Sequence, residues 1–144
     1  MEGARMEMSI IVKTATRFLA ALMLLFGVYI IFTGHLNPGG GFQGGVILAT
    51  VILLLYIAFG AEKQWVPENL ASLVEDVSAL LVVFMGIVGL IIGKAAFSNF
   101  IIGTQYNFFD AGTIPYLNTI IGLEVGAAFM VLFYTFFKYM ERRP

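Results

Sequence analysis

Glu124 is the residue of this 144-residue sequence whose type and position are best suited to chemistry. It lies in a long apolar run, eight residues into the segment 116–139. An acidic side chain at the centre of a bilayer costs about 2.5–3.5 kcal/mol on insertion scales, so its carboxyl group must be protonated, paired or turned to a wet interior. Such a group could exchange protons or bind a cation; a structural hydrogen bond between helices is the alternative. Gly122 and Gly126 flank it, and their spacing predicts that a helix packs closely on that face.

A glycine-rich stretch over residues 34–45 is the second candidate site. Its glycines and proline are Gly34, Pro38, Gly39, Gly40, Gly41, Gly44 and Gly45. Three of the glycines match the dinucleotide fingerprint G-x-G-x-x-G, but an apolar segment precedes them where a β-strand should stand, so that interpretation is rejected. Proline ends a helix and glycines permit a tight turn, although a turn alone needs fewer glycines. The surplus suits either close approach of helices or a broken helix that lines a polar cavity.

The remaining candidates for an ion path are His35, Glu75, Asp76 and Lys94. Free histidine changes charge between about pH 5 and 8, so His35 could relay protons at the outer mouth of such a path. A hydrogen-bonded turn residue is the alternative for His35. Lys94 lies near the outer end of the third apolar segment, where its side chain could reach water or pair with Glu124.

Two acidic residues, Glu75 and Asp76, lie near the start of the third apolar segment. The spacing Ser72-x-x-Glu75 predicts a capping box, and the helix dipole favours acidic residues in a first turn. An inner mouth of the ion path is the alternative. The same segment carries a predicted packing face, which consists of Gly86, Gly89 and Gly93.

The composition excludes several classes of protein. Hydrophobic residues make up 60% and charged residues 12%, with a mean hydropathy of +0.93, which indicates a chain that resides in a bilayer. The 8 basic and 9 acidic residues nearly cancel, so no nucleic-acid surface is expected. The absence of cysteine excludes disulfides, iron–sulfur clusters and thiolate zinc sites, and a single histidine excludes a bis-histidine haem held by this chain alone. We expect no cofactor bound by this chain, no metal beyond transient Na+, and no active site of an enzyme.

Four apolar runs have the length that a bilayer of about 30 Å demands. They cover approximately residues 10–33, 45–61, 73–97 and 116–139. The first resembles a signal peptide, but no small-x-small cleavage site follows it, so it is predicted to be a retained span. The predicted fold is therefore all-α, with residues 1–144 forming a single multi-pass domain in the membrane lipid of a prokaryotic cell.

The basic residues predict the orientation of these spans, because cytoplasmic loops carry an excess of lysine and arginine. Lys94 is the one basic residue on the side opposite to the termini. The other seven are Arg5, Lys13, Arg17, Lys63, Lys138, Arg142 and Arg143. Both termini are therefore predicted to face the cytoplasm.

The glycine-rich stretch also carries a resemblance to a known family. The run from Gly34 through Gly45 closely resembles the G-H-x-x-P-G-G-G-F-x-G-G signature of the B subunit of multisubunit Mrp-type Na+/H+ antiporters. The preceding helix, with Lys13-Thr14-x-x-Arg17, is similar as well. In the last helix the family has an acidic residue before a glycine, commonly aspartate; here the stretch is Leu123-Glu124-Val125-Gly126.

This resemblance implies a non-catalytic membrane subunit that assembles with other Mrp-type antiporter subunits and helps to transport Na+ and H+. Close relatives belong to membrane-bound hydrogenases and related redox-driven complexes, so hydrogenase or other redox subunits are alternative partners. Under the hypothesis of a transport subunit, Glu124 exchanges protons or coordinates Na+ through oxygen ligands, which hard cations prefer.

Two hypotheses from other classes predict different behaviour. A purely scaffolding subunit would lose assembly on Glu124→Gln without any change in transport per assembled complex. An independent transporter or channel would give ion flux from the purified chain in liposomes. The few charges within the spans argue against the independent transporter.

Overall fold

The computed structural model describes residues 8–60, 65–93, 95–101 and 111–141. These residues form four α-helices and no strand: α1 is Ile10–Thr33, α2 is Gly41–Phe59, α3 is Glu68–Gly93 and α4 is Ile114–Glu141. All four helices are long and apolar enough to cross a membrane. The prediction of an all-α chain with four spans is confirmed. The cytoplasmic location of the termini and the single domain over residues 1–144 stay predictions.

Local hydrogen bonds define the ends of the first two helices. Ser9 caps α1, because its hydroxyl oxygen accepts a hydrogen bond from the backbone N–H of Val12 at 3.3 Å. Gly60 ends α2 with a φ of 83°, and its N–H donates to the carbonyl of Tyr56 at 2.9 Å. α1 has the predicted bounds, whereas α2 begins at Gly41, four residues before the predicted start. Packing against α4 compensates for the low helix propensity of the glycines in its first turns.

The capping box predicted at the start of α3 is wrong. α3 begins at Glu68, directly after Pro67, and the N–H groups of Leu70 and Ala71 both donate to the Pro67 carbonyl at 3.0 and 3.1 Å. Ser72 is therefore the fifth residue of α3 and does not cap it. Proline favours an extended backbone at the residue before it, and its carbonyl can accept the first hydrogen bonds of a helix. The helix therefore begins after Pro67 and not at Ser72. α3 ends at Gly93, four residues before the predicted end, and α4 extends two residues beyond its predicted bounds at each end.

The helices pack in the order α1, α2, α4, α3. α2 contacts α1 and α4, and α4 also contacts α3. α1 touches α4 less extensively, and in the part of the chain that the structure describes α3 contacts neither α1 nor α2. α4 is thus the one helix that faces both the α1–α2 pair and α3.

Small residues occupy the helix contacts. Within the described ranges, eight hydrophobic residues are buried, and five of them are alanines: Ala20, Ala49, Ala58, Ala71 and Ala127. Large apolar side chains point outward instead; Ile10 and Leu80 are 83% and 70% exposed. Membrane helices associate in this way because lipid is as apolar as leucine, so close backbone approach stabilises them more than burial of large side chains.

The loop after α3 folds back on that helix. The Phe97 ring packs against Gly86, where an added Cβ would lie 2.9 Å from Phe97 Cζ. The Ser98 hydroxyl donates a hydrogen bond to the Gly89 carbonyl at 2.9 Å. Further along, the Asn99 side chain accepts a hydrogen bond from the N–H of Thr113 at 2.9 Å, which ties this loop to the start of α4. The packing face predicted on α3 is therefore occupied by the chain's own loop, not by a neighbouring helix.

Candidate functional site

The turn between α1 and α2 is built on glycine. Its backbone begins with the N–H groups of Leu36 and Asn37, which both donate to the Thr33 carbonyl at 2.8 and 2.9 Å. It ends with Gly39 and Gly40 at φ values of 137° and 151°, a conformation that favours glycine. The turn therefore needs two of the glycines for its backbone conformation.

The glycines of the stretch that lie within α2 bring helices together. A Cβ on Gly45 would stand 2.6 Å from the carbonyl oxygen of Gly122 on α4. A Cβ on Gly44 would stand 2.8 Å from the Gly27 carbonyl on α1, so α2 lies close to both neighbours. α2 is a continuous helix from Gly41, which disagrees with the alternative of a broken helix over these residues.

Asn118 is a polar residue of this region that the sequence analysis missed. Its side-chain nitrogen would lie 3.0 Å from a Cβ on Gly34, and its side-chain oxygen 3.6 Å from a Cβ on Gly40. The amide of α4 thus lies against both ends of the turn between α1 and α2. An isolated amide four residues before Gly122, on the same helical face, is the signal that could have identified it.

The structure does not put His35 and Glu124 on one side of the molecule. His35 is half-buried in the turn between α1 and α2, and its Nδ1 is buried. Asn118, which lies against this turn, precedes Glu124 by six residues. This spacing corresponds to about 120° around the axis of α4 and about 9 Å along it. A direct proton relay between His35 and Glu124 has no support in this geometry.

Glu124 lies near the middle of α4. It is the eleventh of 28 residues, about 15 Å from the start of the helix. Its side chain is half-buried, and within the described part of the chain it forms no hydrogen bond or ion pair. Lys94, its predicted partner in one alternative, lies outside the described residues.

The prediction that a helix packed on Gly122 and Gly126 also covers Glu124 is wrong. Both glycines face the α1–α2 pair. A Cβ on Gly122 would lie 2.7 Å from Ile31 Cδ1 of α1 and 3.3 Å from the Gly41 carbonyl of α2, and one on Gly126 would lie 3.3 Å from the Gly45 carbonyl. Residues two apart in a helix differ by about 200° around its axis, so Glu124 points away from α2.

Glu75 and Asp76 are adjacent in α3, so they differ by about 100° around the helix axis. Glu75 lies between Ala71 and Ser78, which are 2% and 4% exposed and mark the α4-facing side of α3, and it is itself half-buried. Asp76 is exposed. Of this predicted pair, only Glu75 lies at the contact between α3 and α4.

An ion pair shows which side of the α3–α4 contact these carboxylates occupy. Lys138 Nζ lies 3.9 Å from Glu68 Oε2. Glu75 follows Glu68 on α3 by seven residues, which puts the two within about 20° of each other around the helix axis. Glu124 precedes Lys138 on α4 by fourteen residues, which puts these two within about 40°. We call this side, with Glu68, Glu75, Glu124 and Lys138, the acidic seam. Along it Glu75 and Glu124 differ by about 10 Å in depth.

The other side of the α3–α4 contact is apolar. A cleft of about 130 Å³ lies there, lined by residues of α2, α3 and α4 that include Leu48, Val74, Gly126 and Met130. Because Leu48 belongs to α2, this cleft faces the α1–α2 pair and the acidic seam faces away from it. No group of three or more metal-binding side chains occurs among the described residues.

These features define a class: a multi-pass membrane protein whose helices meet through small residues and whose few acidic residues line one seam. The family model described as "Domain related to MnhB subunit of Na+/H+ antiporter" matches residues 11–131. The chain therefore belongs to the MnhB-related family, which confirms the resemblance drawn from the glycine-rich stretch and the multi-pass prokaryotic membrane location.

Relatives come from antiporters and from a respiratory complex. The chain is 35% identical over 130 residues to an uncharacterized protein of Methanocaldococcus jannaschii, covering 83% of this chain and 48% of the relative. It is 33% identical over 88 residues to a protein of Staphylococcus aureus (strain Newman) that bears the name of an antiporter subunit, mnhB2, covering 56% of this chain and 62% of the relative.

A solved structure is similar over most of the chain. A chain of the membrane-bound sulfane sulfur reductase, an archaeal respiratory membrane complex, matches with a TM-score of 0.76 and 34% identity. The match covers 91% of this chain and 59% of that chain. The protein thus spans about half to three fifths of the length of these relatives.

Proposed function

We propose that this chain is a non-catalytic subunit of an Mrp-type monovalent cation/proton antiporter module and that its acidic seam forms part of the ion path. Family membership supports the module. One observation supports the role of the seam: Glu124 is half-buried near the middle of α4 without a partner among the described residues. Other antiporter subunits are then its partners, and Na+ and H+ the transported ions.

The chemistry of the seam follows from two carboxylates at different depths. Glu124 accepts and releases a proton, or offers its oxygens to Na+, which prefers hard oxygen ligands. Glu75 lies about 10 Å away in depth, too far for direct proton transfer. Water or a side chain from another subunit must therefore bridge the two.

A redox-driven complex is the second candidate setting. The match to the reductase chain covers 91% of this chain, whereas the match to the Staphylococcus aureus antiporter subunit covers 56%. The similarity to the reductase chain supports a module coupled to electron transfer in other subunits, beside the independent exchanger. Purification through a tag, with mass spectrometry of the co-purifying chains, separates the two settings: antiporter-like subunits alone support an independent exchanger, and additional metal-cofactor subunits support the redox-driven complex.

The role of Glu124 is tested by Na+/H+ exchange measured per assembled complex in vesicles. We expect Glu124→Gln to lower exchange by about a hundredfold or more, the effect that loss of one proton-transfer group produces. Glu124→Asp should retain part of the activity. Asn69→Ala, which changes an exposed polar side chain next to the start of α3, is the control and should leave exchange unchanged. Normal exchange in an assembled Glu124→Gln complex contradicts the proposed role and favours a scaffolding subunit.

His35 is proposed separately as a proton relay at the outer mouth. Its half-buried position in the glycine turn supports this, and its distance from the acidic seam means that it would serve a different route. We expect His35→Ala to shift the pH profile of exchange. An unchanged profile in a fully assembled complex would leave His35 as a turn residue.

A further inference from the structure

We propose that the acidic seam is the docking surface for a transmembrane helix of another subunit, and that this helix carries a lysine or arginine at a depth between Glu75 and Glu124. The inference rests on the proposed function only in treating the chain as one subunit of a larger membrane complex. It adds the surface by which the chain binds, the form of the partner and its charge.

The acidic seam carries more negative than positive side chains. Glu68 has Lys138 as its partner at 3.9 Å. Within the described part of the chain, Glu75 and Glu124 have no hydrogen bond or ion pair. The seam therefore presents three carboxylates and one ammonium group, and the chemistry that complements it is cationic.

The two carboxyl groups without a partner, those of Glu75 and Glu124, lie within the membrane spans. Glu124 lies within about 5 Å of the midpoint of α4, and Glu75 lies about 10 Å from the start of α3. A charged side chain that faces hydrocarbon within a membrane span is unfavourable, most of all near the helix centre. A surface with two such groups requires a polar cover, so lipid chains do not satisfy it.

The segment that covers the acidic seam must be a helix with a basic residue. Irregular backbone does not face lipid at membrane depth, so a segment seated there must be a helix. Ala79 lies between the two acids in depth and is half-buried, and its small side chain leaves room for close approach of a helix. A second copy of this chain would bring the same uncompensated carboxylates, and headgroups of anionic lipids would be repelled. A basic helix of a different subunit satisfies all three conditions.

Photo-crosslinking in the assembled complex tests this surface. The photoreactive residue p-benzoylphenylalanine replaces Ala79 in one variant and Leu80 in a matched control. Ala79 lies within about 20° of Glu68 around the axis of α3, whereas Leu80 lies about 180° from the buried Ala71 and is 70% exposed. The two positions share a depth and differ in the side of α3 that they probe.

The expected result is a crosslink from position 79 to a membrane helix of another subunit that contains a lysine or arginine within one turn of the crosslinked residue, and no such crosslink from position 80. Adducts with lipid only, with a second copy of this chain, or with a helix that lacks a basic residue would overturn the proposal.

Charge reversal gives a second arm that does not depend on crosslinking. We expect Glu124→Lys to lower recovery of the partner subunit in the purified complex by about tenfold or more, because breaking a buried ion pair is strongly destabilising. An acidic substitution of the partner's basic residue should restore recovery. Asn69→Lys, at an exposed position next to the start of α3, is the control and should leave recovery unchanged. Full recovery with Glu124→Lys alone would contradict the charge pairing.

These outcomes are separable from those of the proposed ion path. Normal exchange in the Glu124→Gln complex together with the expected crosslink would remove the transport role and keep the docking surface. Loss of exchange without a crosslinked helix would keep the transport role and remove the docking surface.

Discussion

The two sides of α4 carry different residues and make different contacts. Towards α2, backbone meets backbone: Gly45 and Gly122 approach so closely that a single methyl group would lie 2.6 Å from a carbonyl oxygen. On the side away from α2, Glu124 and the α3 residue Glu75 are half-buried without a partner among the described residues. The chain thus completes one side of α4 by itself and leaves the other for its complex.

This difference separates stability from function along one helix. Substitutions on the α2 side should act on the folding of the chain, because that contact is entirely internal. Substitutions on the acidic seam should act on transport and assembly. The same α4 sequence, residues 122–126, contributes to both sides because residues two apart point in opposite directions.

Among these predictions, the largest effect on stability is expected at Gly45. In Gly45→Ala the new methyl group would meet the Gly122 carbonyl oxygen at 2.6 Å, so α2 and α4 must separate. Overpacking of this kind costs about 1–3 kcal/mol. Unfolding of the purified chain in detergent, followed by helical circular dichroism, measures the loss.

Gly126→Ala is the matched control for this experiment. It lies on the same helix contact, but its methyl group would meet no atom closer than 3.3 Å, and alanine is the better helix former. We expect its stability to change by less than that of Gly45→Ala. Equal losses for the two variants would mean that α2 and α4 are not in the close contact described.

A smaller effect is expected at Tyr134. Its hydroxyl donates to the Val66 carbonyl at 2.8 Å and ties the segment before α3 to α4, and the residue is 8% exposed. Tyr134→Phe should lower the free energy of unfolding by about 0.5–1.5 kcal/mol, the usual contribution of one hydrogen bond. Tyr116→Phe, on the same helix with an exposed side chain, should change it little.

The smallest effect is expected at the ion pair that marks the acidic seam. The side chains of Lys138 and Glu68 are 60% and 42% exposed, so water and salt screen their attraction. Glu68→Gln should cost less than about 1 kcal/mol, and the cost should shrink as ionic strength rises. A loss of several kcal/mol that persists at high salt would show that this pair is buried in the folded chain.

The sequence predicted the four spans because length and apolarity are enough to identify a membrane helix. It also singled out Glu124 and the glycine-rich stretch, since an acid and a glycine cluster both stand out against apolar neighbours. It misplaced the start of α3, because the apparent capping box at Ser72 predicts a later start than Glu68, where the helix begins after Pro67.

Two parts of the candidate site were beyond reach of the sequence. The contact of Asn118 with the turn at Gly34 and Gly40 depends on how α4 packs against the α1–α2 pair. The alignment of Glu75 with Glu124 depends on the rotation and register of two antiparallel helices, which the ion pair between Glu68 and Lys138 reveals. Neither the rotation nor the register follows from hydropathy, which locates helices but does not orient them relative to one another.

The most direct test of the central claim is chemical modification of Glu124 by a lipid-soluble carbodiimide, measured as the mass shift of the peptide that contains it. The reagent converts a protonated carboxyl group that it can reach into a stable N-acylurea. We predict modification of Glu124 in the isolated chain in detergent and protection in the assembled complex. Absence of modification in the isolated chain, or equal modification in both, would contradict a carboxylate that the fold leaves open and the complex covers.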